Sequence, residues 1–129
     1  MLTREEKIMG IDISFLDENG ISTKDGIAYT GGEEKYVSAI QRYFKGYEAN
    51  RKSVEELFEA GNVDDYAIKV HSLKSNSRMI GAKDFGELAY ASEMAGRDGD
   101  VQKVRSSHDM LVREYRKVLA KANDLINNM

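Results

Sequence analysis

The sequence contains neither cysteine nor proline in its 129 residues. Without cysteine it can form no disulfide framework and no thiolate metal site. Without proline, no helix has to break for want of a backbone amide. No apolar run approaches the roughly 20 residues that a membrane-spanning helix needs, and the first residues lack the apolar core of a signal peptide. These absences predict a cytoplasmic protein that does not enter a membrane.

An excess of charge of one sign is also lacking. The net charge is −3, and acidic and basic residues are interleaved along the chain, so we expect no nucleic-acid partner. No Gly-x-x-x-x-Gly-Lys-Ser/Thr loop is present, and nucleotide binding therefore has no support in the sequence. A content of 41% hydrophobic and 32% charged residues is ordinary for a folded protein, and the length suffices for one domain with a core.

Glycines separate long segments in which apolar residues recur at spacings of three and four, which predicts amphipathic helices. We expect helices at 33–47, with a continuation at 53–60 capped by Ser53, and at 62–80, 83–95 and 100–127. The connections are short, which favours antiparallel packing of successive helices. The predicted fold is therefore an all-α, up-down-up-down four-helix bundle. Most tyrosines recur at helical spacing and are expected in the core or at its edge.

The N-terminal segment allows two interpretations. In residues 10–20 apolar and polar residues alternate, which is compatible with a short strand. The other interpretation is an irregular arm that covers one end of the bundle, and it is favoured because an isolated strand has no evident partner. Residues 22–29 are expected to form a short helix. We thus divide a single domain into an N-terminal extension over residues 1–30 and a bundle over residues 31–129.

One histidine of the helix at 62–80 has notable neighbours. At roughly 100° per residue, His71 shares a stripe beside the apolar face with Lys74, Ser75 and Arg78. A neutral imidazole is a good nucleophile near pH 7. Lys74 can neutralise part of the charge of a phosphoryl group, Ser75 can donate a hydrogen bond while leaving room for a partner, and Arg78 extends the positive field. This pattern suits a phosphoryl-carrying histidine, and the alternative is a solvated helix face.

The run His71-Ser72-Leu73-Lys74-Ser75, followed by Ile80-Gly81-Ala82 and by Leu88, resembles the pattern of histidine-containing phosphotransfer (HPt) domains. That pattern reads approximately His-x-Leu-Lys-Gly, then an apolar residue with Gly-Ala, then a leucine in the next helix. The similarity covers about residues 30–122. It implies a four-helix bundle with His71 as the phosphorylated residue. The sequence departs from the pattern at Ser75, where the family most often has glycine, although serine is also small.

The resemblance also implies a monomeric phosphocarrier whose partners are response-regulator receiver domains and a hybrid sensor histidine kinase. The histidine would accept a phosphoryl group from an aspartyl phosphate on one receiver and pass it to an aspartate on another. The chain would have no kinase activity and no cofactor of its own, because the receiver would supply the Mg²⁺. The expected phosphoryl-stabilising residues are Lys74 and Ser75, and those expected on the docking side are Arg78, Gly81 and Gly86.

Three alternatives stay open: a non-catalytic adaptor of the same fold that docks receivers, a piece of a sensor kinase, and an unrelated helical bundle with a chance match. The dimerising helix of kinases usually reads His-Glu with a nearby proline, whereas Ser72 follows the histidine here. His108 lies on the apolar stripe of the last predicted helix, so we expect it to be structural and partly buried. The acidic runs Asp64-Asp65 and Asp98-Gly99-Asp100 are expected at helix caps and turns rather than at a metal site.

Overall fold

The structure, a computed structural model, describes residues 7–8, 11–18 and 20–127, with the side chains of residues 16–18 and 20–120. Within these residues the chain is helical apart from one short hairpin, which confirms the all-α class. The elements are β1 (Lys7–Ile8), β2 (Ile11–Asp12), α1 (Ile13–Glu18), α2 (Thr23–Thr30), α3 (Glu33–Glu59), α4 (Val63–Met79), α5 (Lys83–Arg97) and α6 (Val101–Asn127). None of these helices combines the length and the apolar character that crossing a membrane requires.

Side-chain caps fix three of the helix starts. Ser22 accepts a hydrogen bond from the backbone N–H of Asp25 at 3.3 Å, and the short helix expected at residues 22–29 is confirmed as α2. Asn62 accepts from the N–H of Asp65 at 3.1 Å at the start of α4. Asp100 accepts from the N–H of Lys103, also at 3.1 Å, so it caps α6 as expected. Each cap satisfies a backbone donor that has no partner inside the helix.

The expected interruption before residue 53 is wrong, because α3 is one continuous helix of 27 residues. Ser53 lies inside it and caps nothing. Tyr47 and Val54 are buried and lie seven residues apart, so the apolar stripe continues on the same helix face across the predicted break. The polar residues between them are exposed or half-buried and belong to two ordinary helical turns rather than to a linker.

The N-terminal segment contains the short strand that one interpretation of residues 10–20 allowed, and then a regular helix that neither interpretation included. β2 pairs antiparallel with β1, with Ile8 opposite Ile11, and the chain then enters the regular helix α1. The expected irregular arm is therefore corrected to the hairpin of β1 and β2, followed by the helix α1. Residues 10 and 19 lie outside the described residues. Leu16 and Ile21 are 1% and 2% exposed and belong to the main apolar cluster, so this segment contributes to the core.

The four long helices enclose one buried apolar cluster. Each of α3, α4 and α5 contacts the next helix along the chain, and α3 also contacts α6. Two buried tyrosines tie α3 to the C-terminal part of α4: Tyr36 donates its hydroxyl to the carbonyl of Ile80 at 2.9 Å, and the hydroxyls of Tyr43 and Ser77 lie 2.9 Å apart. Buried hydroxyls need such partners, and these bonds hold the orientation of α4, the helix that carries His71.

Candidate functional site

His71 projects from the middle of α4 with 49% of its side chain exposed. Its Nδ1 lies 3.0 Å from Oε1 of Glu93 on α5, and this is the one hydrogen bond of the ring among the described residues. A carboxylate only accepts, so Nδ1 carries the proton in this bond, and Nε2 of the neutral ring keeps a free lone pair. The site therefore presents a half-exposed imidazole whose Nδ1 is held by Glu93 and whose Nε2 makes no hydrogen bond to a described residue.

Glu93 is a buried carboxylate that joins three positively charged or protonatable side chains. It is 3% exposed; its Oε1 accepts from His71 and, at 2.8 Å, from Lys74, and its Oε2 accepts from Arg97 at 2.8 Å. Burial raises the pKa of the Glu93 carboxyl, but hydrogen bonds and charge from Lys74 and His71 outweigh burial and hold that pKa below its ordinary value. The carboxylate is thus ionised near neutral pH.

A close approach of two helices brings His71 and Glu93 together. A Cβ atom on Gly96 of α5 would lie 3.0 Å from Cβ of Ala67 and 3.1 Å from the carbonyl oxygen of Val63, both on α4. A side chain at this position would push the helices apart, so the glycine permits the contact. Glu93 lies one turn before Gly96, and His71 lies one turn after Ala67. The packing at Gly96 therefore allows the hydrogen bond between the His71 and Glu93 side chains.

Lys74 and Arg78 follow His71 at one-turn intervals along α4, and both approach the ring of Tyr90 on α5. Lys74 Nζ lies 5.1 Å and Arg78 Cζ 5.9 Å from the ring centroid. Lys74 was expected beside the core but is only 8% exposed, and its ammonium contacts both Glu93 and Tyr90 on α5. Arg78 is more open, and its guanidinium lies 3.8 Å from Glu87.

Ser75 and Gly86 complete the face formed by α4 and α5. Ser75 is half-buried, one turn after His71. Gly86 is buried, and a Cβ atom there would lie 2.9 Å from Cγ and 3.3 Å from Nε of Arg78. The space left by the absent side chain is occupied by the Arg78 stem. The structure thus brings together five of the six residues singled out from the sequence: His71, Lys74, Ser75, Arg78 and Gly86.

Gly81 is the sixth, and it does not lie on that face. It is buried just after α4 with a φ of +88°, a conformation that favours glycine. Its carbonyl accepts from the N–H of Ser22 at 3.0 Å, and a Cβ atom on Gly81 would lie 2.0 Å from the Ser22 carbonyl oxygen. The expectation that Gly81 belongs to a docking surface is therefore corrected: it closes the end of α4 against the start of α2.

Glu93 is the site residue that the sequence analysis missed. A signal for it was present, because Phe85, Ala89, Glu93 and Gly96 follow one another at spacings of four, four and three along the buried stripe of α5. A carboxylate on such a stripe needs a cationic or donor partner once it is buried. That partner could have been sought on the helix before it, where His71 and Lys74 lie.

Large apolar side chains are also exposed near His71. Ile68, one turn before the histidine on the same side of α4, is 67% exposed. On α5, Tyr90 and Met94 are 45% and 37% exposed. Exposed apolar side chains around a polar group are typical of surfaces that contact another protein.

The expectation that the tyrosines lie mostly in the core is confirmed for five of them: Tyr36, Tyr43, Tyr47, Tyr66 and Tyr115.

His108 has different surroundings. It is 5% exposed, its ring stacks on Phe58 with centroids 3.8 Å apart, and its Nδ1 lies 3.0 Å from the hydroxyl of Tyr66. Burial lowers the pKa of this imidazole, against the smaller opposing effect of nearby carboxylates. The predicted burial is confirmed, and the ring is neutral near pH 7.

The acidic runs serve helix ends, as expected. Asp64 and Asp65 lie in the first turn of α4, where a negative charge favours the helix dipole, and Asp100 caps α6. Within the part of the chain that the structure describes, no group of three or more His, Asp or Glu side chains is arranged to hold a metal ion. The expected lack of a cofactor stays a prediction.

The face that α4 and α5 form around His71 is thus the one place, among the described side chains, where an exposed imidazole, a buried carboxylate and three cations meet. The residues of this face come from two helices and lie up to 26 positions apart in the sequence, from His71 to Arg97. The chain matches no protein-family model, no curated protein and no solved structure.

Proposed function

We propose that this protein is a histidine phosphocarrier of the HPt type. His71 accepts a phosphoryl group from an aspartyl phosphate of one receiver domain and passes it to an aspartate of another. The observation that carries the proposal is the hydrogen bond between His71 Nδ1 and the buried Glu93 carboxylate. Such a bond selects the tautomer in which Nε2 is the nucleophile, and it stabilises the positive charge that the ring gains when Nε2 reacts.

The transfer step uses only groups that this chain and a receiver provide. The Nε2 lone pair attacks phosphorus, the P–O bond to the receiver aspartate breaks, and the carboxylate leaves with the electron pair. The His71 ring keeps its Nδ1 proton and becomes cationic, beside the negative Glu93. In onward transfer, a carboxylate oxygen of the second receiver attacks phosphorus, and the electron pair of the N–P bond returns to Nε2. The receiver supplies Mg²⁺ and with it most of the charge stabilisation.

The cations around His71 support this reaction. Lys74 lies one turn from the histidine and already compensates Glu93, so an arriving phosphoryl group does not meet an unbalanced carboxylate. Arg78, with 41% of its side chain exposed, adds positive charge at the rim, where it can reach a partner. Ser75 adds a short hydroxyl donor. We propose neither ATP binding nor kinase activity for the chain.

The proposal includes the finer features of the fold. The long helices α3–α6 form an up-down-up-down four-helix bundle, and the hairpin, α1 and α2 form an N-terminal extension of a single domain. Three residues connect each successive pair of long helices, residues 60–62, 80–82 and 98–100. Such short connections favour antiparallel neighbours. On α4, the order 71, 74, 78 also faces the reverse order 93, 90, 86 on α5, as antiparallel helices require.

The proposed partners are receiver domains and a hybrid sensor histidine kinase, which meet a monomer of this chain in the cytoplasm. Ile68, Tyr90 and Met94 offer exposed apolar area on both sides of the histidine. A receiver that covers them gains the burial of apolar surface while its aspartate approaches Nε2.

The test is phosphorylation of the purified chain, first by phosphoramidate, which needs no partner, and then by receiver domains charged with acetyl phosphate. We expect one phosphoryl group on His71 that is acid-labile and base-stable. His71→Gln should abolish the label and keep the fold, because the side chain is half exposed. His108→Gln is the matched control and should still be labelled. Undiminished label on His71→Gln would sink the assignment, and receiver binding without any label would favour the adaptor instead.

A further inference from the structure

Two cations of the site share one aromatic ring. The Lys74 ammonium lies 5.1 Å and the Arg78 guanidinium carbon 5.9 Å from the centroid of Tyr90, within the range in which the negative face of a ring attracts a cation. Tyr90 is 45% exposed, so it is not needed to fill the core. The ring therefore lies at the surface and contacts both cations before any phosphoryl group is present.

The position of Tyr90 on α5 matches the positions of the cations on α4. Lys74 is bound by Glu93, one turn after Tyr90, and the stem of Arg78 lies over Gly86, one turn before it. The ring thus fills the interval between these two contacts. Each cation has an anchor on one side and the tyrosine on the other.

Holding Lys74 and Arg78 together has a cost that the ring offsets. Like charges at positions i and i+4 of a helix repel one another, and long cationic side chains lose rotational freedom when they are held in one geometry. A ring that attracts both charges compensates part of the repulsion and orders both side chains in advance. Groups ordered before the reaction stabilise developing charge without reorganisation.

We propose that Tyr90 is a positioning residue of this site: its ring holds the Lys74 ammonium and the Arg78 guanidinium together beside His71, in place for an incoming phosphoryl group. The inference rests on the proposed function, since it assigns the two cations to a phosphoryl group. Tyr90 acts through them and makes no bond to the reacting atoms. The aromatic face carries the effect, and the phenolic hydroxyl does not.

The first test measures the rate at which phosphoramidate labels His71. Tyr90→Leu keeps apolar bulk but removes the aromatic face, and it should slow labelling about three- to tenfold, the effect of one or two cation–π contacts at a partly exposed site. Tyr90→Phe keeps the face and should label within about twofold of the wild type. Tyr29→Leu, a change at an exposed tyrosine of α2, is the matched control and should label normally.

A double-mutant cycle separates positioning from a structural role. In the Lys74→Gln/Arg78→Gln background, Tyr90→Leu should have no further effect, because the ring has no cation left to hold. An equal slowing by Tyr90→Leu in both backgrounds overturns the inference, as does a Tyr90→Leu rate equal to that of the wild type. No label on wild-type His71 overturns the proposed function and this inference with it.

A second measurement does not depend on activity. In proton–carbon NMR spectra, the ring current of Tyr90 should shift the methylene protons next to the charged groups of Lys74 and Arg78 upfield. The shifts should persist in Tyr90→Phe and vanish in Tyr90→Leu. Unshifted resonances in the wild-type protein would show that the ring does not hold these side chains, and would overturn the inference even if a variant failed to fold.

Discussion

The two histidines of this protein make hydrogen bonds of the same length in opposite surroundings. Each has its Nδ1 3.0 Å from an oxygen, of the Glu93 carboxylate for His71 and of the Tyr66 hydroxyl for His108. The His71 side chain is 49% exposed among charges, whereas His108 is 5% exposed and stacks on Phe58. The difference shows that the environment of an imidazole, and not its hydrogen bond alone, decides what it can do.

The charged surroundings of His71 would stabilise a positive charge on its ring. The ionised Glu93 carboxylate would stabilise a positive His71 ring, and about half of the His71 side chain is exposed to solvent. His108 has the reverse situation, because burial lowers the pKa of its ring and its contacts favour the neutral form. Phosphorylation on Nε2 would make either ring cationic. The surroundings of His71 would stabilise that charge, whereas those of His108 would oppose it.

The largest effect that tests the comparison is steric. Ser75→Trp should abolish transfer from a receiver domain, because a bulky side chain one turn from His71 blocks the approach of the aspartate. Labelling by the small donor phosphoramidate should persist. Ser106→Trp is the matched control, since this exposed serine lies on α6 near His108, and transfer should be normal. Normal receiver transfer to a folded Ser75→Trp variant would mean that partners do not approach over this face.

The next effect concerns the buried carboxylate of the His71 region. Glu93→Ala leaves Lys74 mostly buried without its counter-ion and should lower the free energy of unfolding by about 2–3 kcal/mol. Glu93→Gln keeps an acceptor for His71 and should cost about 1 kcal/mol. Glu87→Ala removes a carboxylate whose side chain is 77% exposed and should change stability by less than about 0.5 kcal/mol. Urea unfolding measures the free energy of unfolding of all three variants. Equal values for Glu93→Ala and Glu87→Ala would show that the contacts of Glu93 with His71, Lys74 and Arg97 do not stabilise the fold.

A smaller loss is expected in the His108 region. His108→Leu leaves the fully buried Tyr66 hydroxyl without its partner and should cost about 1–2 kcal/mol of unfolding free energy. Tyr66→Phe should recover part of that loss in the double variant, because the unpaired hydroxyl is then absent. Phosphorylation of His71 should stay normal in every folded variant of this set. Additive losses in the double-mutant cycle would show that the bond between the two side chains contributes nothing.

The smallest effect separates the two regions by pH. The pKa of His108 in the folded state lies below the ordinary value of 6.5, so its contribution to stability is present above pH 6.5 and is lost as pH falls through the folded pKa. The lowered pKa of Glu93 acts in the same direction, but its stabilisation is lost only below the ordinary value of 4.5. We measure this by urea unfolding at a series of pH values. The loss of unfolding free energy below pH 6.5 should vanish in His108→Leu, and the further loss below pH 4.5 should weaken in Glu93→Gln.

The helices and the His71 stripe could be predicted because their causes are local. The apolar periodicity and the cap at Asp100 lie within single segments, so the predicted boundaries of α4 and α6 agree with the structure within one residue. The predicted division of α3 is wrong because Ser53 is as good a cap residue as Asp100, and only the burial of Tyr47 and Val54 shows that the apolar stripe continues. The hairpin was not predicted because β1, the strand that pairs with β2, is only two residues long.

His71, Lys74 and Arg78 could be placed on one side of a helix from their spacing alone, because residues three and four positions apart share a face in any α-helix. The groups that lie opposite that stripe could not be read from spacing. The buried partner Glu93 and the ring of Tyr90 come from α5, and their contacts depend on how closely and in which rotation α5 packs on α4. Such packing is set by side chains distant in the chain, so no spacing within α4 encodes it.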